Sequence, residues 1–241
     1  MEIYNFQNEV RKHYAGIDEL QNNELYLKNY NQDIVEMLSC DSHQTSKVLE
    51  FGAGLGTLAL IWRNLKKNKP DCIEIDPALT QVIKKRGLNC YSDLNQVDQE
   101  YDFIYSSNVL EHIPDDLDAL QKINRVTRKG GYLAVYVPAF KCLYNKVDAS
   151  VGHYRRYEKA DLLQKIMLAG FDVKKCHYVD SVGFFAWLLL RFKKIQTSQK
   201  ISSAKSLKFY DQYIYPISKF FDLIGLKYIF GKNILIIAQK K

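Results

Sequence analysis

The most informative residues of the chain read Val48-Leu49-Glu50-Phe51-Gly52-Ala53-Gly54-Leu55-Gly56-Thr57. An apolar run ends in an acid, and three glycines then alternate with small or apolar residues. This order is typical of a β-strand, a tight turn and a helix. Glycines at positions 52, 54 and 56 let the backbone approach a ligand closely, where a Cβ would collide with it. The first-turn amides of the following helix then face that ligand.

A second short strand is predicted downstream, in Cys72-Ile73-Glu74-Ile75-Asp76-Pro77. In α/β nucleotide sites an acid at this place accepts hydrogen bonds from ribose hydroxyls. Glu74 and Asp76 fall on the same side of an extended chain, so their spacing leaves the choice open. Thr57 stands where a dinucleotide fingerprint has Gly or Ala, and no Gly-Lys-Ser/Thr follows. We therefore exclude a dinucleotide pyrophosphate and a phosphate-binding loop.

Three motifs in this order resemble the class I S-adenosylmethionine (SAM) dependent methyltransferases. They are 48–56, then Ile-Glu-Ile-Asp-Pro-Ala-Leu at 73–79, then Tyr-Asp-Phe-Ile-Tyr-Ser-Ser-Asn-Val-Leu-Glu-His-Ile at 101–113. The last is similar to the fourth-strand motif of their small-molecule, type 11-like branch. The resemblance implies a Rossmann-like, doubly wound α/β fold with seven strands. Six are expected to be parallel, with the seventh antiparallel between the fifth and sixth.

The resemblance also implies SAM as cofactor and S-adenosylhomocysteine as product. By register, Glu74 matches the ribose-binding acid, and we favour it over Asp76. Asp93 matches the acid that accepts a hydrogen bond from the adenine amino group. Ser107 and Asn108 are expected to lie beside the methionine part of SAM. The full expected cofactor set is Glu50, Gly52, Ala53, Gly54, Gly56, Glu74, Ile75, Asp76, Asp93, Leu94, Ser107 and Asn108.

Composition indicates a soluble globular protein of one α/β domain, with 241 residues, 47% hydrophobic and 25% charged. The net charge of +7 favours acidic partners such as phosphorylated substrates, anionic lipid headgroups or nucleic acid. The five cysteines show no metal-ligand spacing. With no secretory signal visible, we expect free thiols and a cytoplasmic location, with peripheral contact at the inner membrane surface as a further option.

We predict a single domain over 1–241, divided into a helical cap at 1–46, a SAM-binding core at 47–178, a helical insertion at 179–232 and a last strand at 233–241. Strand and helix patterns alternate after 47, which predicts a parallel sheet. Helices are expected at 57–67, from 77, at 114–128 and at 159–169. Strands are expected at 71–75, 88–91, 101–106, 132–137, 171–179 and 233–239.

The segment 138–157 follows the predicted fifth strand and contains Gly-His-Tyr-Arg-Arg-Tyr at 152–157. One interpretation is an acceptor-binding loop, with His153 as base and two arginines that clamp an anion. The other is a salt-bridged platform for the next helix, with Asp148 as the partner. A segment of this kind also resembles a subset of these methyltransferases in polysaccharide or lipid-linked glycan pathways. The candidate catalytic residues are His153, His112 and Tyr154, and the candidate acceptor-binding residues are Tyr14, Asp148, Arg155, Arg156 and Tyr157.

The insertion at 179–232 is apolar, aromatic and basic. Its apolar run at 182–190 is too short to span a bilayer. A lid over the substrate or a homodimer face is our first interpretation. An interfacial contact with anionic lipid through 182–230 is the second.

The reaction implied is direct displacement at the sulfonium methyl, most simply O-methylation of a small-molecule, sugar or lipid-linked glycan acceptor. N-methylation of an amino sugar is the close variant. Nucleic-acid methylation is disfavoured because Ser106-Ser107-Asn108-Val109 is unlike the Asn-Pro-Pro-Tyr loop of base-amino methylases. A non-catalytic SAM-binding protein at a membrane surface remains an alternative. We expect no metal, since no carboxylate cluster stands out beyond the cofactor acids.

Overall fold

A computed structural model describes residues 17–39, 47–192 and 203–241. Seven strands form one sheet with the order β3-β2-β1-β4-β5-β7-β6, and β7 runs antiparallel to both of its neighbours. The predicted Rossmann-like sheet, six strands parallel and the seventh antiparallel, is confirmed. The strands are β1 (Val48–Phe51), β2 (Asp71–Ile73), β3 (Cys90–Tyr91), β4 (Tyr101–Ser107), β5 (Thr127–Pro138), β6 (Phe171–Val179) and β7 (Asn233–Lys240).

Helices cover both faces of the sheet because the strand side chains alternate between two apolar clusters. Leu49, Ile104 and Leu133 point to one face, while Phe103 and Tyr105 point to the other. The described α-helices are α1 (Ile17–Tyr26), α2 (Lys28–Leu38), α3 (Thr57–Lys66), α4 (Pro77–Lys85), α5 (Asp116–Val126), α6 (Lys146–Ser150), α7 (Lys159–Leu168), α8 (Ser181–Phe192), α9 (Ala204–Phe209) and α10 (Tyr215–Leu223). A π-helical segment, Tyr210–Ile214, joins α9 to α10.

The start of β5 differs from the expectation. The sequence pattern predicts a helix to 128 and a glycine stop before a strand at 132, but α5 ends at Val126 and β5 begins at Thr127. Both glycines lie inside the strand, Gly130 with a positive φ of 74° and Gly131 at a point where the backbone is crowded. A Cβ on Gly131 would lie 3.0 Å from the Asp102 carbonyl of the neighbouring strand. Glycine therefore permits close strand pairing at an irregular register, rather than ending a helix.

The cap helix α2 starts without a side-chain cap of its own, since Leu27 occupies its N-cap position. Asp211, distant in sequence, supplies the cap. Its carboxylate accepts hydrogen bonds from the amides of Tyr30 (2.9 Å) and Asn29 (3.1 Å). The insertion thereby fixes the helix that covers one face of the sheet.

We predict that Asp211→Ala lowers the free energy of unfolding by about 1–3 kcal/mol, because two amides at the start of α2 lose a largely buried acceptor. Urea unfolding measures the loss. Asp98→Ala is the matched control, since Asp98 is exposed. A loss no larger than that of the control would show that Asp211 does not cap α2.

Candidate functional site

A cavity of about 600 Å³ opens at the carboxyl ends of β1, β2, β3 and β4. This edge is where open α/β sheets bind ligands, and the volume is within the range of cofactor sites. Most of the expected cofactor residues line it. They are Glu50, Gly52, Ala53, Gly54, Glu74, Ile75, Asp93, Leu94, Ser107 and Asn108.

The turn after β1 forms the floor of this cavity. Gly52, Gly54 and Gly56 all have positive φ, which side chains other than glycine rarely adopt. A Cβ on Gly52 would lie 2.4 Å from the Val109 side chain, so this position needs glycine for packing as well as for conformation. Gly56 does not line the cavity; it is the N-cap residue of α3.

The acids after β2 separate into two roles. Glu74 lines the cavity and accepts hydrogen bonds from the amides of Gly54 (2.7 Å) and Asp76 (3.0 Å). Asp76 lies outside the lining, and its carboxylate accepts from the amides of Ala78 and Leu79 to cap α4. The geometry thus favours Glu74 as the ribose acid, the assignment that spacing alone left open.

One part of the cavity has the residue types that an adenosyl group would need. Ile75 is 83% exposed although apolar, and it lines the cavity, as expected of a side chain that packs on a base. Asp93 lies nearby, with one carboxylate oxygen held by the Asn95 amide at 2.6 Å. Burial raises the pKa of Glu50 to about 8, and its carboxyl accepts from the Tyr105 hydroxyl at 3.1 Å. The residues present therefore fit SAM.

The N-terminal helices contribute more to the cavity than the sequence predicted. Asn23, Leu27, Tyr30 and Asn31 all line it. The resemblance implies N-terminal helices that cover the cofactor, with Tyr30 as a possible site residue. The amphipathic pattern does not reveal which other side chains reach the sheet edge. Tyr14, the expected acceptor-binding residue, lies outside the described residues.

Beyond the cavity, two histidines and two acids meet. His112 lines the cavity, and its ring packs edge-on against His153 with ring centroids 4.6 Å apart. Nδ1 of His153 lies 3.0 Å from a carboxylate oxygen of Asp148, and Nε2 lies 3.9 Å from Glu111. Because Asp148 engages Nδ1, Nε2 is the ring nitrogen of His153 that faces Glu111. Tyr154 ties the loop to this cluster through its amide, which donates to the Glu111 carbonyl at 2.8 Å, while its side chain is exposed.

Both arginines of the segment 152–157 form ion pairs within the chain, as the platform interpretation predicts. Arg156 is buried and pairs with Asp148 at 2.9 Å. Arg155 pairs with Asp116 at 2.9 Å, and the Tyr157 hydroxyl donates to the same acid at 2.7 Å. Both guanidinium groups are held by carboxylates of the chain, and this arrangement favours the salt-bridged platform over the anion clamp. Asp148 and Tyr157 are likewise engaged in hydrogen bonds within the chain.

Glu111 is the least conventional member of the cluster. It is fully buried, and neither carboxyl oxygen has a hydrogen-bond partner among the described residues. Burial, opposed by the charges of His153 and Arg156, raises the pKa of Glu111 to about 7. Burial and the charge of His153 lower the pKa of His112 to about 4. Glu19 of α1 also lies near, since His153 and Asp148 act on its charge, and burial raises its pKa.

The same cluster has the residue types of a metal site. Glu111, His112 and His153 each offer one ligand atom, and these atoms lie within 4.8 Å of one another. The sequence missed this grouping because the third ligand lies in a different loop. Arg156 argues against a resident cation, since its guanidinium acts on the charge of Glu111 from the same buried cluster.

Comparison with known proteins identifies the domain. The model of a family described as a methyltransferase domain matches residues 24–192, more than half of the chain. No match was found among curated proteins.

Many solved structures share the fold. A possible histamine N-methyltransferase from Thermotoga maritima has a TM-score of 0.62 at 17% identity, covering 93% of this chain and 96% of that chain. A complex of the Trm112 methyltransferase activator with a methyltransferase from Haloferax volcanii has a TM-score of 0.63 at 12% identity, covering 94% and 96%. Phosphoethanolamine N-methyltransferase 2 from Haemonchus contortus, solved with SAM, has a TM-score of 0.58 at 17% identity, covering 89% of this chain and 52% of that chain.

We predict that Glu111→Gln stabilises the protein increasingly as the pH rises. In the folded state the pKa of this carboxyl is about 7, above its ordinary 4.5, so its ionisation costs stability as the pH passes through this interval. The difference in the free energy of unfolding, variant minus wild type, should increase by about 3 kcal/mol from about pH 5 to about pH 8. Urea unfolding across this range measures the difference.

Glu36→Gln is the control, because Glu36 is exposed and should give a flat difference. A flat difference for Glu111→Gln as well would contradict the raised pKa of this buried carboxyl.

Proposed function

The chain belongs to the methyltransferase-domain family and is a class I SAM-dependent enzyme, and we propose that it methylates a hydroxyl of a small-molecule, sugar or lipid-linked glycan acceptor. The observation that carries this proposal is the Asp148–His153 pair, which lies beside His112 at the edge of the cofactor cavity. A hydroxyl nucleophile carries a proton that a base must remove, and this pair has the arrangement of a base with an orienting carboxylate.

When bound, SAM supplies a methyl group on a positively charged sulfur. We assign Glu74 to the ribose hydroxyls, Ile75, Asp93 and Leu94 to the adenine, and Ser107 and Asn108 to the methionine part. The backbone of Gly52, Ala53 and Gly54 lies under the ligand. Most of the acceleration should come from holding the nucleophile in line with the methyl group.

We assign His153 as the base that takes the acceptor proton at Nε2. Hydrogen bonds from His153 and Arg156 outweigh burial and hold the pKa of Asp148 below its usual range, so Asp148 stays ionised and orients the ring. The pKa of His112, about 4, keeps it neutral at physiological pH, where it would frame the acceptor or accept a hydrogen bond from it. We assign Tyr154, whose side chain is exposed in the segment 152–157, to contact with the acceptor.

N-methylation of an amino sugar is the second candidate. The specific observation in its favour is the buried carboxyl of Glu111, which has no hydrogen-bond partner in the part of the chain that the structure describes, together with Glu19 nearby. Carboxylates in this position would attract an ammonium group. His153 would then take the ammonium proton before transfer.

The acceptor class is tested by release of S-adenosylhomocysteine in the presence of a panel of hydroxyl sugars, matched amino sugars and lipid-linked glycans. Turnover with hydroxyl acceptors supports the main proposal. Turnover with the amino sugars alone overturns it in favour of the second candidate.

With the acceptor that gives turnover, we predict that His153→Gln lowers kcat by roughly 10²–10⁴ while SAM affinity is unchanged, because proton removal is lost. His177→Gln is the matched control, since His177 lies on β6 outside the site. A kcat within about twofold of wild type would reject His153 as the base. Loss of wild-type turnover on addition of EDTA would instead assign the cluster to a metal.

A further inference from the structure

The helical stretch formed by α9, Tyr210–Ile214 and α10 carries its polar residues on the inside. Asp211 and Ser218 are buried, and Asp222 is half-buried. Each accepts hydrogen bonds from backbone amides of another element. Asp211 caps α2, Ser218 accepts from Val182 at 3.0 Å, and Asp222 accepts from Asp180 at 2.7 Å. These bonds fix which side of the helix faces the protein.

The opposite side of the same helix is apolar and faces outward. Phe209, Tyr213, Ile217, Phe220 and Ile224 are 57%, 58%, 50%, 60% and 59% exposed. Their spacing of four, four, three and four residues places them on one helical face, and we call this set the outer stripe. Surface helices normally turn such a face toward the core, so a continuous exposed stripe indicates a surface that contacts a partner.

The exposed charged residues on the helical stretch that carries the outer stripe are all basic. Lys205 and Lys208 are exposed, whereas the acids of the described residues 203–230 are Asp211 and Asp222, and neither is exposed. The sequence between Asp180 and Asp211 contains no acid and adds Arg191, Lys193, Lys194 and Lys200. An anionic surface matches this pattern.

We propose that the outer stripe docks on an anionic lipid bilayer, with the helix lying in the plane of the interface. Aromatic and aliphatic side chains enter the headgroup boundary, and the lysines contact anionic headgroups. A second copy of the chain fits less well, because a self-complementary contact would bring like-charged lysines together. None of the described helices is long and apolar enough to cross a membrane.

Helix α8, which packs against α10, contacts the segment 138–157. The Arg156 guanidinium lies 5.0 Å from the Trp187 ring centre of α8, and Phe184 packs edge-on against Phe140 at 5.3 Å. Docking through the outer stripe would therefore connect the bilayer, through α10 and α8, to the segment 138–157. This inference stands on the outer stripe and its charges, and it does not require the acceptor assignment.

The test is flotation of the full chain with vesicles of phosphatidylcholine alone and of phosphatidylcholine with phosphatidylglycerol. We expect the chain to bind the anionic vesicles more strongly than the neutral ones. Binding to the anionic vesicles should weaken in high salt. Ile217→Ser with Phe220→Ser should reduce the partition coefficient at least about tenfold. Lys205→Gln and Lys208→Gln should each reduce it about fivefold on the anionic vesicles.

Leu168→Ser is the control, because Leu168 is equally exposed, at 61%, but lies on α7. SAM binding and thermal unfolding of every variant show that the fold is kept. Wild-type protein that fails to float with anionic vesicles at low salt overturns the proposal. So does a homodimer in sedimentation velocity that the double stripe variant dissociates, since the outer stripe would then be an interface between copies.

Discussion

The carboxylate of Glu74 joins the two turns on which the site depends. It accepts one hydrogen bond from Gly54, in the turn after β1, and another from Asp76, at the start of α4. The two turns therefore hold a common position at the sheet edge, and the cavity opens between them. Burial raises the pKa of Glu74, which shows that the backbone amides do not fully replace water around it. A hydroxyl-bearing ligand that donates to its remaining lone pairs would complete this solvation.

A second constraint reaches the site from the far end of the chain. The insertion sends Asp211 to the start of α2 and Asp222 to the start of α8, so the cap helices and the insertion form one hydrogen-bonded layer. Lys232 extends this layer inward, because its ammonium pairs with buried Asp180 at 3.1 Å. These inward polar contacts fix the rotation of α9 and α10 about their axes. The apolar side of both helices therefore faces outward.

The sequence was sufficient for the sheet and for the cofactor edge, because both rest on local patterns. The fold can be predicted from local spacings: those of the glycine turn, the alternating strands and the acid after β2. The pairing of Arg155 with Asp116, and of Glu111 with His153, could not be predicted in this way. Each pair joins loops about 40 residues apart, and no local period reports that separation. The hydrogen bonds by which Asp211 caps α2 and Asp222 caps the start of α8 were missed for the same reason.

Calorimetric titration with SAM and with S-adenosylhomocysteine tests the central claim most directly, for the wild type, Glu74→Ala and Asp76→Asn. We expect micromolar binding by the wild type, near-complete loss in Glu74→Ala and retention in Asp76→Asn, since Glu74 lines the cavity and Asp76 does not. Binding that survives in Glu74→Ala but fails in Asp76→Asn would exchange the two roles. A folded wild type that binds neither ligand would contradict the assignment of the cavity.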